Sequence, residues 1–282
     1  METICHGQSG EVPRLEPSPL IYKIVPQEDV EQLYRMYPDL PKTHMVGCPS
    51  CGKNLGQYVD GMVVVDGVQM ICNCQDQLQR HKHYLNAGIG ANYQYLNWHH
   101  FVGDQNAKDR AWEYVVGLHQ MVESGIGLFF QGEQYGVGKT MLAALVLKSC
   151  VMAGYRCYMT TFANMLSSMK AGWKNPEYAQ WYKRRVESAQ ILLLDDVGKE
   201  LMTGSGFNND FARQVFDDTM RTRVQDRLPT FITTNFNEQA ISQAYGEAVF
   251  SLITEQSMAV KVTGSDYRKT MQKFEKGRRR IY

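Results

Sequence analysis

The stretch Gly132-Glu133-Gln134-Tyr135-Gly136-Val137-Gly138-Lys139-Thr140 constrains this 282-residue chain more than any other. It follows the apolar run Leu128-Phe129-Phe130 and leads straight into the apolar segment Met141 to Ala153. A glycine-rich loop between a strand and a helix turns backbone N–H groups and a helix N-terminus toward an anion, and glycine lets the chain approach closely. A Gly-Lys-Thr ending makes that anion a nucleotide phosphate. Lys139 reaches the β- and γ-phosphates and Thr140 offers its hydroxyl to Mg²⁺. Gly132, Gln134, Tyr135, Gly136, Val137 and Gly138 complete the candidate ATP-binding loop. Five residues rather than four separate Gly132 from Gly138, so Glu133 stands where the G-x-x-x-x-G-K-T pattern has its first glycine. The phosphate-contacting half, Gly136 to Thr140, is intact.

The surrounding pattern predicts an α/β domain. Apolar runs at Gly127–Gln131, Arg156–Thr161, Ile191–Leu194, Thr230–Thr234 and Ala259–Val262 read as five strands. Leu128–Phe130 and Leu192–Leu194 do not alternate, as in parallel strands covered on both faces. Asp104 is a candidate N-cap for a helix whose face is Ala107, Ala111, Val115, Leu118 and Val122, ended by Gly125. Further helices are expected at Met141–Ala153, Glu177–Ser188 and Asp210–Arg227, giving a parallel five-stranded sheet between helices. Ile191-Leu192-Leu193-Leu194 runs into Asp195-Asp196. After a phosphate loop, the first carboxylate is placed to hold the Mg²⁺ shell and the second to polarise an attacking water. Thr230 to Thr234 ends in Asn235, whose amide at the strand's carboxyl end could orient that water.

Composition narrows the class. Apolar residues make up 44% and charged residues 21%, which excludes wholesale disorder. No run approaches the 18 apolar residues of a membrane span. The first residues lack the basic and apolar regions of a signal peptide, so a cytoplasmic location with reduced thiols is expected, without a membrane partner. Seven cysteines then read as metal ligands or buried residues. Cys48-Pro49-Ser50-Cys51-Gly52 forms a knuckle, and Cys72-Asn73-Cys74 follows; four thiolates suit a tetrahedral Zn²⁺. The second pair is C-x-C, and His81 or His83 could replace one cysteine as a ligand. Gln57–Val65 and Val68–Ile71 flank Asp66-Gly67, a hairpin turn pair, which outlines a zinc-ribbon-like module. Cys150 and Cys157 lie on apolar elements and read as core.

The expected order is therefore a Pro-punctuated leader over 1–46 with one short helix at Gln27–Tyr37, and a zinc module with a linker helix (Gln75–Ala87) over 47–90. The ATPase domain follows over 91–282. Tyr93, Tyr95, Trp98 and Phe101 stand before it, either as ordinary core or packed near an adenine pocket or the interdomain joint. The loop Leu201 to Asn209, with Gly204 and Gly206, is a candidate nucleotide-sensing or DNA-facing segment. Net charge is +1, but residues 268–282 carry seven Lys/Arg against Glu275 alone. That tail either contacts single-stranded DNA phosphates or is a solvated terminus.

Asp195-Asp196-Val197-Gly198, Pro229-Thr230-Phe231-Ile232-Thr233-Thr234-Asn235 and Val262-Thr263-Gly264-Ser265-Asp266-Tyr267-Arg268 resemble the AAA+ ATPases of the DnaC/DnaI replicative-helicase loaders. The related IstB transposition helpers are similar. The likeness covers about residues 92–270, and the cysteine module resembles that of DnaI-type loaders. It implies an ATP-dependent loader of a replicative DNA helicase onto single-stranded DNA that assembles into an AAA+ oligomer; phage genomes encode many such proteins. It also implies Asp195 and Asp196 as the Walker B pair, Asn235 as sensor 1, and Arg268 as the sensor 2 arginine on the γ-phosphate. The family's trans-acting arginine finger falls on Ser251, which cannot neutralise charge. Weak hydrolysis follows, unless Arg221, Arg223 or Arg227 substitutes; the other reading of these three is a solvated helix C-terminus favoured by the dipole. An IstB-like transposition helper and a nucleotide-switched adaptor with little hydrolysis are the alternatives.

Overall fold

A computed structural model of the chain describes residues 51–53, 61–94, 96–171, 175–201 and 209–267. The leader helix, Cys48, Tyr95, residues 202–208, Arg268 and the basic tail lie outside the described residues. The chain forms two compact units, one comprising Met1–Leu85 and Gly90–Tyr95, the other Asn86–Ile89 and Leu96–Tyr282.

In the first unit, β1 (Met62–Val65) and β2 (Val68–Ile71) form an antiparallel hairpin with Val65 opposite Val68. The turn residues Asp66 and Gly67 both have positive φ (51° and 79°), as a type I′ turn requires. Two helices follow, α1 (Cys74–Asn86) and the single turn α2 (Ala91–Gln94).

The second unit alternates helices and strands. A 3₁₀ turn at Trp98–His100 precedes α3 (Gln105–Val116) and α4 (Leu118–Glu123). The Asp104 side chain accepts the Ala107 N–H and caps α3. Where one long helix was expected, Gly117 ends α3 and α4 starts anew; glycine breaks the run that the apolar periodicity continues. Then come β3 (Gly127–Gln131), α5 (Lys139–Met152), β4 (Cys157–Thr161), α6 (Phe162–Ala171), α7 (Pro176–Ser188) and β5 (Ile191–Val197). After them lie α8 (Asn209–Gln225), β6 (Thr230–Thr234), α9 (Glu238–Tyr245), α10 (Glu247–Glu255) and β7 (Ser257–Lys261). Among the described residues no helix is long and apolar enough to cross a membrane.

All five strands of this unit run parallel, in the order β4-β5-β6-β3-β7. Every residue of β3 and β6 is buried, as central strands covered on both faces must be. Helix α5 is apolar nearly all round and buried against the sheet. On the other side, Phe162 of α6 and Phe216 of α8 meet edge to face at 5.3 Å, within a core that includes Tyr182, Ile241 and Ile253. Because β6 lies between β3 and β5, the ends of these three strands adjoin although they are distant in sequence.

Arg223 ties α8 into this frame. Its guanidinium is buried and donates to Thr230 Oγ1 and to the carbonyls of Ala189, Gln190 and Pro229 at 2.8–3.0 Å. Burial pushes its pKa down to about 10. A guanidinium so fully engaged inside its own subunit is a strut between strand entrances and cannot serve as a trans-acting finger. Arg223→Ala should lower stability by about 3 kcal/mol, since three buried acceptors and one half-buried one lose a charged donor. A shift of the urea midpoint equivalent to under ~0.5 kcal/mol would contradict this role.

Candidate functional site

The glycine-rich loop joins the buried end of β3 to the first turn of α5. Gly136 and Gly138 hold φ of 74° and 103°, a region that L side chains rarely adopt. No side chain caps α5, so the N–H groups of its first turn face the loop. Lys139 is nearly buried, and its Nζ donates to the carbonyls of Gly132 (2.7 Å) and Gln134 (2.8 Å). The cation is thus held over the loop's own backbone. Tyr135 is exposed and Val137 fully buried.

Asp195 and Asp196 fall at an irregularity in the sheet. Leu194 pairs with Ile232, but Val197 pairs with Thr234, so two residues of β5 oppose Thr233 alone. This is a bulge, a device that re-aims side chains beside functional sites. Asp196 sits in left-handed backbone (φ 57°), which breaks the regular alternation of strand faces. Asp195 is 7% exposed, and its Oδ1 accepts the hydroxyls of Thr140 (2.8 Å) and Thr233 (2.6 Å). Burial raises the Asp195 carboxyl above the ordinary range; the two hydroxyls oppose that, and the Asp196 charge adds to it. Asp196 pairs with Lys199 Nζ at 3.6 Å, and its N–H donates to Thr233 Oγ1 at 3.0 Å. Asn235 is half-buried just past the end of β6.

The residues after β7 close over the loop. Val262 N–H donates to Gln131 O, and a Cβ on Gly132 would lie 2.3 Å from Val262 O. Tyr267 N–H donates to Gly136 O, and a Cβ on Gly136 would lie 1.9 Å from Asp266 Oδ1. Phe101, 3% exposed, brings its ring to 2.6 Å from where a Gly138 Cβ would stand. Of the aromatics before α3, then, Phe101 packs on the loop, while Trp98 meets Trp112 edge to face at 5.0 Å. Asp104 Oδ2 accepts both the N–H and the hydroxyl of Thr263, tying the start of α3 to the same segment. Glu133, standing in a glycine position, points its carboxylate at the Asn237 amide (3.3 Å), and Gln131 Nε2 donates to Glu238 Oε1 (3.0 Å).

Thr140, Asp195 and Thr233 thus form one hydrogen-bonded cluster, with Lys139 next to Thr140 in the chain. A hydroxyl that donates to a carboxylate keeps its lone pairs for a cation, and hydroxyl and carboxylate oxygens are the hard donors Mg²⁺ takes. The residues present fit Mg²⁺ and a phosphate chain. Thr233 and the Asp104–Thr263 tie escaped the sequence reading, and of these only the Thr-Thr doublet before Asn235 carried a visible signal; Phe101 stood out as an aromatic, but its place on the loop did not. Ser251 is exposed on α10, Arg221 pairs with Asp217 (2.8 Å), and Arg227 closes α8 with positive φ (52°).

In the other unit the sulfur atoms of Cys51, Cys72 and Cys74 lie within 4.8 Å of one another, with Cys51 and Cys74 at 4.0 Å. A Cβ on Gly61 would fall 2.3 Å from Cys51 Sγ, so glycine is needed there for the approach. Soft thiolates at this spacing fit Zn²⁺. His81 is buried and His83 exposed on α1. Cys150 is buried and Cys157 partly exposed in the second unit.

Gly138→Ala should weaken ATP binding about tenfold, ~1.4 kcal/mol, through backbone strain and displacement of Phe101. Unchanged affinity in a fluorescent-nucleotide titration would contradict the close approach.

The strand order and loop position are those of AAA+ P-loop ATPases. Residues 76–274 match the family described as IstB-like ATP binding protein. The replicative helicase loader DnaC of Escherichia coli K12 is 24% identical over 176 residues, covering 58% of this chain and 68% of DnaC. The replicative helicase loader DnaI of Bacillus subtilis is 25% identical over 121 residues, which is 43% of this chain but only 37% of DnaI. The crystal structure of the DnaC helicase loader superposes with a TM-score of 0.53 at 25% identity, covering 62% of this chain and all of that one. The family match takes in the whole sheet and the loop on its edge, and the chain belongs to the IstB-like ATP-binding proteins.

Proposed function

We propose that this protein is an ATP-dependent loader that places a replicative DNA helicase on single-stranded DNA. The observation that carries the reading is the likeness to DnaC over 68% of that protein's length, and the Thr140–Asp195–Thr233 cluster is its local support. Lys139 and the α5 N-terminus hold the β- and γ-phosphates of ATP. Thr140 and Asp195 hold Mg²⁺, which when bound neutralises charge on the phosphate oxygens. Asp196 draws a proton from the attacking water, Asn235 orients that water, and Arg268 holds the γ-phosphate. ATP-bound copies self-associate and grip single-stranded DNA, with the basic residues 268–280 contributing phosphate contacts.

Ser251 shapes the rate. An arginine finger is worth ~10³–10⁵ in turnover, so a subunit offering serine there hydrolyses ATP slowly. Arg223 is spent inside its own subunit and does not restore it. That exposed serine favours a second reading, a nucleotide-switched adaptor that holds the helicase without appreciable hydrolysis.

The cysteine module holds one structural Zn²⁺ through Cys48, Cys51, Cys72 and Cys74 and supplies a rigid surface for the helicase. Three of these four thiols gather in space, which supports the assignment.

Loading is tested by mixing the full chain with its cognate replicative helicase and a labelled single-stranded DNA circle. Helicase transfer should require ATP, and Lys139→Ala should cut it at least about tenfold by removing the phosphate-binding cation. Helicase capture without transfer supports the adaptor; no helicase binding at all overturns both readings. Metal analysis should find about one zinc per chain, lost with Cys72→Ser or Cys74→Ser. Full zinc occupancy in both variants would refute the ligand set.

A further inference from the structure

We propose that Thr233 is a positioning residue of the nucleotide site, its one hydroxyl holding both acids of the β5 bulge in the register that Mg²⁺ binding needs. The inference rests on the ATP-binding reading above and goes beyond it by giving β6 a second task besides presenting Asn235.

A bulge leaves unpaired backbone groups, and a buried unpaired N–H is costly. Here the ladder is interrupted between Leu194 and Val197, and Asp196 N–H finds Thr233 Oγ1 instead of a strand carbonyl. The same oxygen carries a proton that goes to Asp195 Oδ1 at 2.6 Å. A hydroxyl has one proton to give and lone pairs to accept with, so Thr233 can meet both acids at once. Thr233 is 1% exposed, so no water competes for these bonds. The Thr140 hydroxyl reaches the same carboxylate oxygen from the other side. Asp195 is therefore held between a residue that faces the phosphate loop and a residue that faces the sheet. Groups that orient a metal-holding carboxylate commonly matter about as much as the ligand itself.

The neighbouring residue supplies an internal comparison. Thr234 is fully buried on the same strand, but its hydroxyl joins two backbone groups, donating to Val197 O (2.7 Å) and accepting Phe236 N–H (3.0 Å). It repairs the bulge without touching a carboxylate. If Thr233 served the bulge alone, removing either hydroxyl would have the same consequences.

The experiment measures ATP affinity of the full chain across a Mg²⁺ titration and in EDTA, for wild type, Thr233→Val, Thr233→Ser and Thr234→Val, with thermal melts alongside. Binding is read rather than turnover, so slow hydrolysis does not interfere. Thr233→Val should raise the Mg²⁺ concentration for half-maximal enhancement of ATP binding by roughly ten- to a hundredfold. Its affinity in EDTA, which depends on Lys139 and the loop, should stay near that of wild type. Thr233→Ser, which keeps the hydroxyl, should recover most of the loss. Thr234→Val should lower the melting temperature while leaving the Mg²⁺ midpoint in place. A wild-type midpoint in Thr233→Val, or equal shifts in Thr233→Val and Thr234→Val, overturns the proposal while the ATP reading stands. Should Thr233→Val not fold, Thr233→Ala, which also lacks the hydroxyl, takes its place: a displaced midpoint supports the role, and a wild-type midpoint with impaired melting overturns it. Wild-type protein that shows no Mg²⁺-dependent ATP binding overturns the nucleotide reading, and the role of Thr233 with it.

Discussion

A carboxylate withdrawn from water must be hydrogen-bonded, and Asp195 meets that demand by joining segments that are far apart in sequence. One donor comes from the first turn of α5 and the other from β6, so the phosphate loop, the acidic strand and the strand before Asn235 are held to a single geometry. The strand order makes this possible. With β6 lying between β3 and β5, a side chain at the end of β6 reaches the acids of its neighbour while β3 delivers the loop on the other side.

The loop is confined as firmly from above. Gly132, Gly136 and Gly138 each leave no room for a Cβ, against Val262, Asp266 and Phe101 respectively. The segment following β7 and the residues before α3 thus use the same glycines that admit phosphate, and the Asp104–Thr263 bonds fasten these two covering pieces to each other. The 262–267 segment is also fastened to the loop by a backbone bond, the Tyr267 N–H donating to Gly136 O. Glu133 adds a tie to the side: where a glycine would leave a gap, its carboxylate accepts from the amide of Asn237 at the head of α9.

Much of this was legible in the residues. Strands β3 and β6 occupy the expected ranges because their continuous apolar runs have only one place in a parallel sheet, and Asp104 caps α3 as its residue type foretells. The Asp66-Gly67 pair turns the hairpin with both residues in positive φ. Other features were not legible, for reasons of physics. Strand β5 runs on to Val197 rather than stopping at Leu194, because the bulge lets two acids be absorbed into a strand whose hydrophobicity has already ended. Helix α3 stops at Gly117 because backbone freedom there outweighs an unbroken apolar face. Arg223 read as a finger substitute or a solvated residue near a helix end; its acceptors, at the entry to β6 and more than thirty residues back at Ala189 and Gln190, gave no local signal of its burial. Phe101 belongs with the loop only because the chain folds back over it. In the candidate site, the motif residues were visible singly, whereas the hydroxyl of Thr233 acquires meaning only beside a bulge.

The account stands or falls on the cluster around Asp195 being a Mg²⁺-dependent nucleotide site. Isothermal titration calorimetry of the full chain with ATP, with and without Mg²⁺, tests that directly. The account predicts about one ATP bound per chain and an affinity that rises at least about tenfold when Mg²⁺ is present, as expected for hydroxyl and carboxylate ligands that act on the nucleotide through the cation. Absence of binding heat at millimolar ATP across several temperatures, or an affinity indifferent to Mg²⁺, would contradict it.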